Sequence, residues 1–298
     1  MTKKRQRLPE WFKQTGGKLK ATRELSKRLQ KEVPNSICQE ARCPNRAECF
    51  NKGVLTFMIL GTVCTRNCAF CSVSHGKPLP PDTSELTTIT EAIKSLNLRF
   101  VVLTSPNRDE LPDQGSNHYA MLVRGIKSQF PHVKVEVLIP DFQGNLEALK
   151  TVIQAQPDVL NHNMETVPSL YRIARRGSLF QRSLDVLKQA KECNPKMLTK
   201  SGVMVGLGES TDELIQTFEK ISQSKVDILT IGQYLKPSSD NLDVQKYYSP
   251  KEFNELKESA EKFGFKYVFS GPFVRSSYLA EHVFEESMEE ELFEHSSH

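Results

Sequence analysis

VLTFMILGTVCTRNCAFCSV, residues 54–73, sets a run of buried-strand composition directly in front of a cysteine loop. Residues 54–60 are apolar but for Thr56 and read as a strand covered on both faces. Gly61 ends the run. Cys64, Cys68 and Cys71 follow at C-x3-C-x2-C spacing, with the aromatic Phe70 just before the last cysteine. Three thiolates this close can hold three irons of a [4Fe–4S] cluster and leave the fourth iron without a protein ligand. An open iron is a place for chemistry, much as an open position marks a catalytic zinc site. The same spacing also suits a zinc loop, which needs a fourth Cys or His to close its tetrahedron. His75, four residues past Cys71, is the candidate for that alternative.

Outward from this stretch, strand-like and helix-like runs alternate. Residues 88–98 predict a helix, 99–105 a strand, 118–130 a helix and 133–140 a strand with period-2 alternation. Then come a helix over 145–154, a strand over 157–163, a helix over 180–193 and a strand with its loop over 198–208. A helix over 211–223 with Thr211 as its N-cap, a strand over 226–235, a helix over 250–263 and a strand over 266–272 complete the series. Six β–α repeats and an extra strand imply a parallel sheet with helices outside. Six is short of the eight of a closed (β/α)8 barrel. The expected fold is therefore α/β, a partial (β/α)6 TIM-type barrel; a doubly wound open sheet is the alternative. Barrel chemistry sits at the C-terminal ends of strands, where the cysteine loop falls. Ahead of it all, residues 18–32 read as an exposed helix stopped by Val33-Pro34-Asn35.

A net charge of +4 over 298 residues does not call for nucleic acid. Its distribution is uneven: residues 1–31 hold eleven Lys/Arg and two Glu, while residues 281–298 hold seven Glu and no Lys or Arg. These runs read as solvated tails, or as a basic arm that docks an acidic partner. No run of 18 apolar residues predicts a membrane span, and the basic N-terminus has no apolar core of a secretory signal, so a cytoplasmic protein is expected. Six of the seven cysteines fall within 34 residues. In a cytosolic chain they read as metal or cluster ligands, not as disulfides, while Cys193 reads as a bystander thiol.

The other clustered cysteines, Cys38, Cys43 and Cys49, stand at C-x4-C-x5-C. Alone this is a weak pattern, open to zinc or to a second cluster. Joined to the 64–71 loop it becomes specific. CQEARCPNRAECF (38–50), GTVCTRNCAFCSV (61–73), LTSPNRDELPD (103–113), NHNMETVPSLY (161–171), LTIGQYLKPS (229–238) and GPFVRSSYLA (271–280) stand in this order. Through them the chain resembles the lipoyl synthase family of the radical S-adenosylmethionine (SAM) superfamily, from about Leu8 to Ala280.

The resemblance implies the following. The open iron of the cluster on Cys64, Cys68 and Cys71 binds SAM, and reductive cleavage gives a 5′-deoxyadenosyl radical. A second [4Fe–4S] cluster sits on Cys38, Cys43 and Cys49, with Ser277 of Arg275-Ser276-Ser277-Tyr278 as its fourth ligand. A serine oxygen is a hard partner for a soft cluster, which suits a cluster that must come apart. Arg275 would steady Ser277 or a sulfide. SAM is expected to meet Asn163 and Glu165, with Phe70 stacking on its adenine or meeting it through the backbone; Thr104, Ser105 and the glycine-bearing 202–209 stretch are weaker candidates. The family's Arg-Pro-Gly element reads Arg175-Arg176-Gly177 here, and no catalytic role is carried onto either arginine.

The implied reaction inserts sulfur at C6 and C8 of an octanoyl chain on a carrier-protein lysine, using two SAM molecules. Unactivated C–H bonds offer acid–base chemistry no purchase, so a radical is required. Implied partners are lipoyl domains of 2-oxo acid dehydrogenases, the glycine-cleavage carrier, an electron donor such as flavodoxin or ferredoxin, and a cluster-repair carrier. No nucleic acid or membrane partner is expected. The expected organisation is an extension over 1–53, a barrel over 54–265 and a second extension over 266–298. Another radical SAM sulfur-inserting enzyme of biotin synthase or tRNA methylthiotransferase type, a zinc-held binding module and a catalytically dead paralogue are the alternatives.

Overall fold

The computed structural model describes residues 8–12, 49 and 53–276. The predicted helix over 18–32, Cys38, Cys43, Ser277 and the acidic 281–298 stretch lie outside the described residues.

Strand β1 (Val54–Met58) leads into the cysteine loop, which two short strands bracket, β2 (Val63–Cys64) and β3 (Ser74–His75). The chain then alternates through α1 (Glu85–Leu96), β4 (Phe100–Thr104), α2 (Ser116–Gln129), β5 (Lys134–Leu138), α3 (Leu146–Ile153) and β6 (Val159–Asn161). It continues with α4 (Tyr171–Ala174), α5 (Phe180–Cys193), β7 (Leu198–Val205), α6 (Thr211–Gln223), β8 (Ile228–Gln233), α7 (Pro250–Glu261) and β9 (Tyr267–Gly271). Among the described residues seven strands form one sheet in the order β1-β4-β5-β6-β7-β8-β9, every neighbouring pair parallel. Its edge strands β1 and β9 do not pair with each other. This is the partial barrel that the alternation predicts.

Side-chain alternation explains the layering. On β1 and β4, Leu55, Phe57, Val101 and Leu103 point outward into the core shared with α1, α2 and α3. Val203, Val205, Leu229 and Ile231 serve the second half of the helical layer in the same way. Val54, Phe100, Val102 and Val159 occupy the inner face as a small apolar cluster. The alternation on β5 marks this interior and not solvent. Glu136 is fully buried and pairs with Lys200 at 3.1 Å, while the Asn161 amide donates to it at 2.8 Å. Such a pair must recover the desolvation cost of both charges.

Strand ends contract by one or two residues from the sequence reading because ladder pairing stops where the loops begin. Residue 211 is corrected: Ser210 is the N-cap of α6, in a capping box with Glu213. Ser210 Oγ accepts from the Glu213 amide at 3.3 Å, and Glu213 Oε2 accepts from the Ser210 amide at 2.9 Å. Thr211 opens the helix instead.

Candidate active site

The site is built at the C-terminal end of β1. Leu60 turns the chain with a left-handed φ of 63°, uncommon for a side-chain-bearing residue. Both of its backbone groups are held: its amide donates to Glu85 Oε2 at 3.0 Å, and Arg108 Nη1 donates to its carbonyl at 2.6 Å. The loop that follows is tied to three distant segments. The Thr65 amide donates to the Asn107 carbonyl at 3.1 Å, Ala69 to Ala174 at 2.8 Å, and Leu242 to Ala69 at 3.0 Å. Asn241 Nδ2 donates to the Cys71 carbonyl at 2.8 Å.

Arg66 is the strongest tie. Its guanidinium grips Asp109 at 2.6 and 2.8 Å, Asp141 at 2.7 and 3.0 Å, and Ser178 Oγ at 2.9 Å. These five bonds use its full donor complement. Burial opposes the charge on both Arg66 and Asp141, yet their pairing holds Arg66 above its ordinary range and Asp141 below the usual carboxylate range. Loops after β1, β4, β5 and β6 are thereby joined at one cation.

Cys64, Cys68 and Cys71 are partly buried along this loop. Cys64 Sγ accepts from the amides of Arg66 and Asn107 at 3.3 Å each, and Cys71 Sγ accepts from the Val73 amide at 3.5 Å. Burial pushes the Cys68 thiol up to about 12; Arg175 opposes the rise, while Cys71, Glu165 and Cys64 add to it. Burial likewise pushes Cys71 up to about 11, with Cys64 and Glu165 adding to the rise and the Val73 amide resisting it. The three sulfurs thus sense one another, and those of Cys64 and Cys71 meet backbone N–H donors. That environment fits thiolates on a shared iron–sulfur cluster, where metal binding takes the place of the thiol proton. His75, the residue that would close a zinc tetrahedron, is exposed and pairs with Cys64 through the β2–β3 ladder.

Asn163 and Glu165 come to the same region from the end of β6. Glu165 adopts a left-handed φ of 68°. Its amide donates to the Gly202 carbonyl at 2.9 Å and its carbonyl accepts from Met204 at 2.8 Å, so β7 holds it in place. Burial raises its carboxyl, against the pull of Arg175 and a hydrogen bond from Asn163. Asn163 Oδ1 is buried without a partner among the described residues. A Cβ on Gly202 would stand 2.8 Å from that oxygen, so glycine is what admits the Asn163 side chain here.

In the 202–209 stretch Glu209 accepts from the amides of Gly206, Leu207 and Gly208 at 2.6, 2.9 and 3.0 Å. Phe70 packs its ring against the apolar cluster of Ala174, Leu207 and Tyr234, so its side chain anchors the cysteine loop. Ser105 Oγ accepts from Tyr119 Oη at 3.0 Å, and Thr104 ends β4. Cys49 packs against the inner apolar cluster, and Arg275 Nη1 donates to the Val274 carbonyl at 2.7 Å. Cys193 is exposed at the end of α5.

Sequence reasoning missed Arg66, Asn107, Arg175 and Asn241. Asn107 stood inside a quoted motif and could have been found there. Arg175, set aside at the altered Arg-Arg-Gly element, is buried at 8% exposure. Its Nη1 donates to the Asn163 carbonyl and Tyr171 Oη at 2.8 Å and to Ser183 Oγ at 2.9 Å.

The chain matches the Radical SAM superfamily over residues 58–221. It is 47% identical over 277 residues to the lipoyl synthase of Vibrio vulnificus (strain YJ016), covering 92% of this chain and 86% of that one. It is 50% identical over 258 residues to the lipoyl synthase of Baumannia cicadellinicola, covering 86% and 88%. Among solved structures it resembles methylornithine synthase with a TM-score of 0.53 at 16% identity, over 72% of this chain and 71% of that one. It resembles Streptococcus suis SuiB bound to S-adenosylmethionine with a TM-score of 0.55 at 13% identity, over 83% and 60%. At such identities the structural likeness speaks for the barrel alone.

Proposed function

The chain belongs to the lipoyl synthase family of radical SAM enzymes, and on that premise we propose that it inserts sulfur at C6 and C8 of a protein-bound octanoyl-lysine. The carrying observation is the loop of three partly buried cysteines, fixed at the C-terminal end of β1, with Glu165 and Arg175 within electrostatic reach. Family membership implies a [4Fe–4S] cluster and SAM.

Cys64, Cys68 and Cys71 would hold that cluster. Cys38, Cys43, Cys49 and Ser277 would hold a second. When bound, the first supplies the electron that cleaves SAM and the second supplies sulfur. The protein's own part is to position. Arg66 and Asn241 fix the loop, and the amides of Arg66, Asn107 and Val73 give hydrogen bonds to the cysteine sulfurs. Glu165 would accept from the ribose hydroxyls or the ammonium of SAM, with Asn163 beside it. The partly buried loop and the small apolar cluster on the inner face would limit water at the site.

A second cluster drawn from both ends of the chain gains support from Phe12. Its ring packs 5.4 Å from that of Phe273, so the extensions before and after the barrel meet. We read the organisation as extensions over 1–53 and 266–298 around a barrel over 54–265. Octanoylated carrier proteins are the proposed partners, with a flavodoxin or ferredoxin as electron donor and a carrier that restores the spent cluster. No helix among the described residues is long and apolar enough to cross a membrane.

The test is anaerobic reconstitution followed by turnover with SAM, reductant and an octanoyl-lysine peptide. Roughly eight irons per chain and a product carrying two added sulfurs are expected, since each such cluster holds four irons. Cys64→Ala should lower iron to about four and abolish SAM cleavage. Cleavage of SAM without sulfur transfer would remove the proposed reaction and leave only the superfamily chemistry.

A further inference from the structure

Residues 172–179, between β6 and α5, have two faces. Inward they are bonded to the cysteine loop. The Ala69 amide donates to the Ala174 carbonyl at 2.8 Å, and Arg66 Nη1 donates to Ser178 Oγ at 2.9 Å. Gly177 turns the chain with a φ of 81°, close enough that a Cβ there would stand 3.4 Å from Arg66 Cδ. Outward they present Arg172, Ile173, Arg176 and Leu179, all exposed.

That outer face is unusual in composition. Six large apolar side chains are exposed among the described residues, and two of them, Ile173 at 53% and Leu179 at 58%, fall in this one stretch. Single exposed apolar side chains need no account, but a cluster of them marks an interaction surface. The two arginines beside them have no hydrogen bond or ion pair among the described residues. Arg66, Arg108 and Arg182, on neighbouring loops and α5, each reach a carboxylate. Apolar side chains next to unmatched guanidinium groups are suited to a protein partner: the first supply contact, and the second select a surface that carries carboxylates.

Position narrows the partner. The chemistry of such a barrel opens at the C-terminal ends of its strands. An acyl-lysine fixed to a folded domain reaches that mouth only if the domain seats on the rim, and residues 172–179 form a part of the rim bonded directly to the cysteine loop. We propose that this stretch is the docking surface for the octanoylated carrier domain, with Ile173 and Leu179 packed against it and Arg172 and Arg176 paired with its carboxylates. The proposal rests on the reading of this chain as acting on protein-bound octanoyl-lysine.

Single-turnover kinetics of the reconstituted protein test it with two substrates that share the reacting group. One is an acidic octanoylated lipoyl domain and the other a short octanoyl-lysine peptide without acidic residues. Arg172→Glu/Arg176→Glu should raise the half-saturating concentration of the domain about tenfold, leaving the saturated rate, the peptide kinetics and the iron content native. Ile173→Ser/Leu179→Ser should weaken the domain selectively as well. Added salt should raise the half-saturating concentration of the domain for the native protein and act much less on the arginine variant. Unchanged half-saturation by the domain in the arginine variant, or an equal loss with domain and peptide, would overturn the proposal. So would tighter binding of the domain by that variant, the result expected if the chain's own acidic 281–298 stretch occupies the arginines. If the charge-reversed protein takes up no iron, Arg172→Gln/Arg176→Gln decides by the same criteria. Fluorescence anisotropy of the labelled octanoylated domain, without SAM, reports separately from the chemistry. Arginine-dependent binding beside absent sulfur insertion removes the proposed reaction and leaves the docking surface standing. Sulfur insertion beside domain binding that ignores the arginines removes the docking surface alone.

Discussion

Arg66 and Asp141 meet in a two-pronged ion pair, 2.7 and 3.0 Å, across 75 residues of chain. Asp141 is fully buried, so removing the guanidinium strands a carboxylate away from water. Arg66→Met is expected to cost about 3–5 kcal/mol, the usual penalty for breaking a buried pair from one side. Arg66→Lys keeps the charge but cannot bridge both carboxylates, so it should recover only part of the loss. Chemical denaturation gives the stability, and iron uptake reads whether the cysteine loop keeps its spacing. A fully stable Arg66→Met protein with normal iron would show that the loop does not depend on this tie.

The barrel was legible because each strand of a parallel sheet is covered on both faces, so its apolar run stands out between helical periods. The cysteine loop was legible for a different reason: its ligands are close in sequence. Arg66 was not, because its partners lie 43 and 75 residues away and only folding brings the loops after β1, β4 and β5 together. The pairing of Glu136 with Lys200 was not legible, because the two lie 64 residues apart on different strands. The bonds from the amides of Gly206, Leu207 and Gly208 to Glu209 were not legible either, because only the folded loop turns that carboxylate onto them.

Gly202, on β7, offers a test of the proposed SAM contact at Asn163. A methyl group there would stand 2.8 Å from both Asn163 Oδ1 and Thr230 Oγ1, closer than van der Waals contact allows. Gly202→Ala should therefore displace Asn163, with a stability loss of about 1–3 kcal/mol from overpacking. The expected readout is weaker SAM binding with iron content unchanged. Native SAM affinity in the alanine variant would remove Asn163 from the SAM contacts.

Glu165 sits in a left-handed conformation that costs a side-chain-bearing residue roughly 1–2 kcal/mol. Glycine adopts that conformation freely, so Glu165→Gly should leave stability unchanged or slightly higher while SAM binding falls. Stability and binding moving in opposite directions would mark the strain as kept for function. Thermal unfolding and SAM dialysis on the same sample provide the comparison; a variant with lower stability and intact binding would contradict it.

His162 links the site to pH. It is fully buried beside Asp141, Arg66 and Arg175, and its Nδ1 lies 2.9 Å from the Ile139 carbonyl. Burial, reinforced by Arg175, lowers its pKa to about 3, so the folded protein keeps the ring neutral. An unfolded histidine titrates near about 6.5 and takes up a proton that the folded form refuses. Between these values the unfolded state holds more protons, so stability falls as pH falls, by up to about 1.4 kcal/mol per pH unit for one such group. The contribution is complete above about pH 6.5 and declines steadily below it. Urea unfolding of the native protein at pH 7 and pH 5 should show the loss, and His162→Asn, which cannot titrate, should be less stable at pH 7 but nearly flat across that interval. An equally steep decline in the asparagine variant would assign the acid sensitivity to other groups, with Asp141, held below the usual carboxylate range by Arg66, the first to examine.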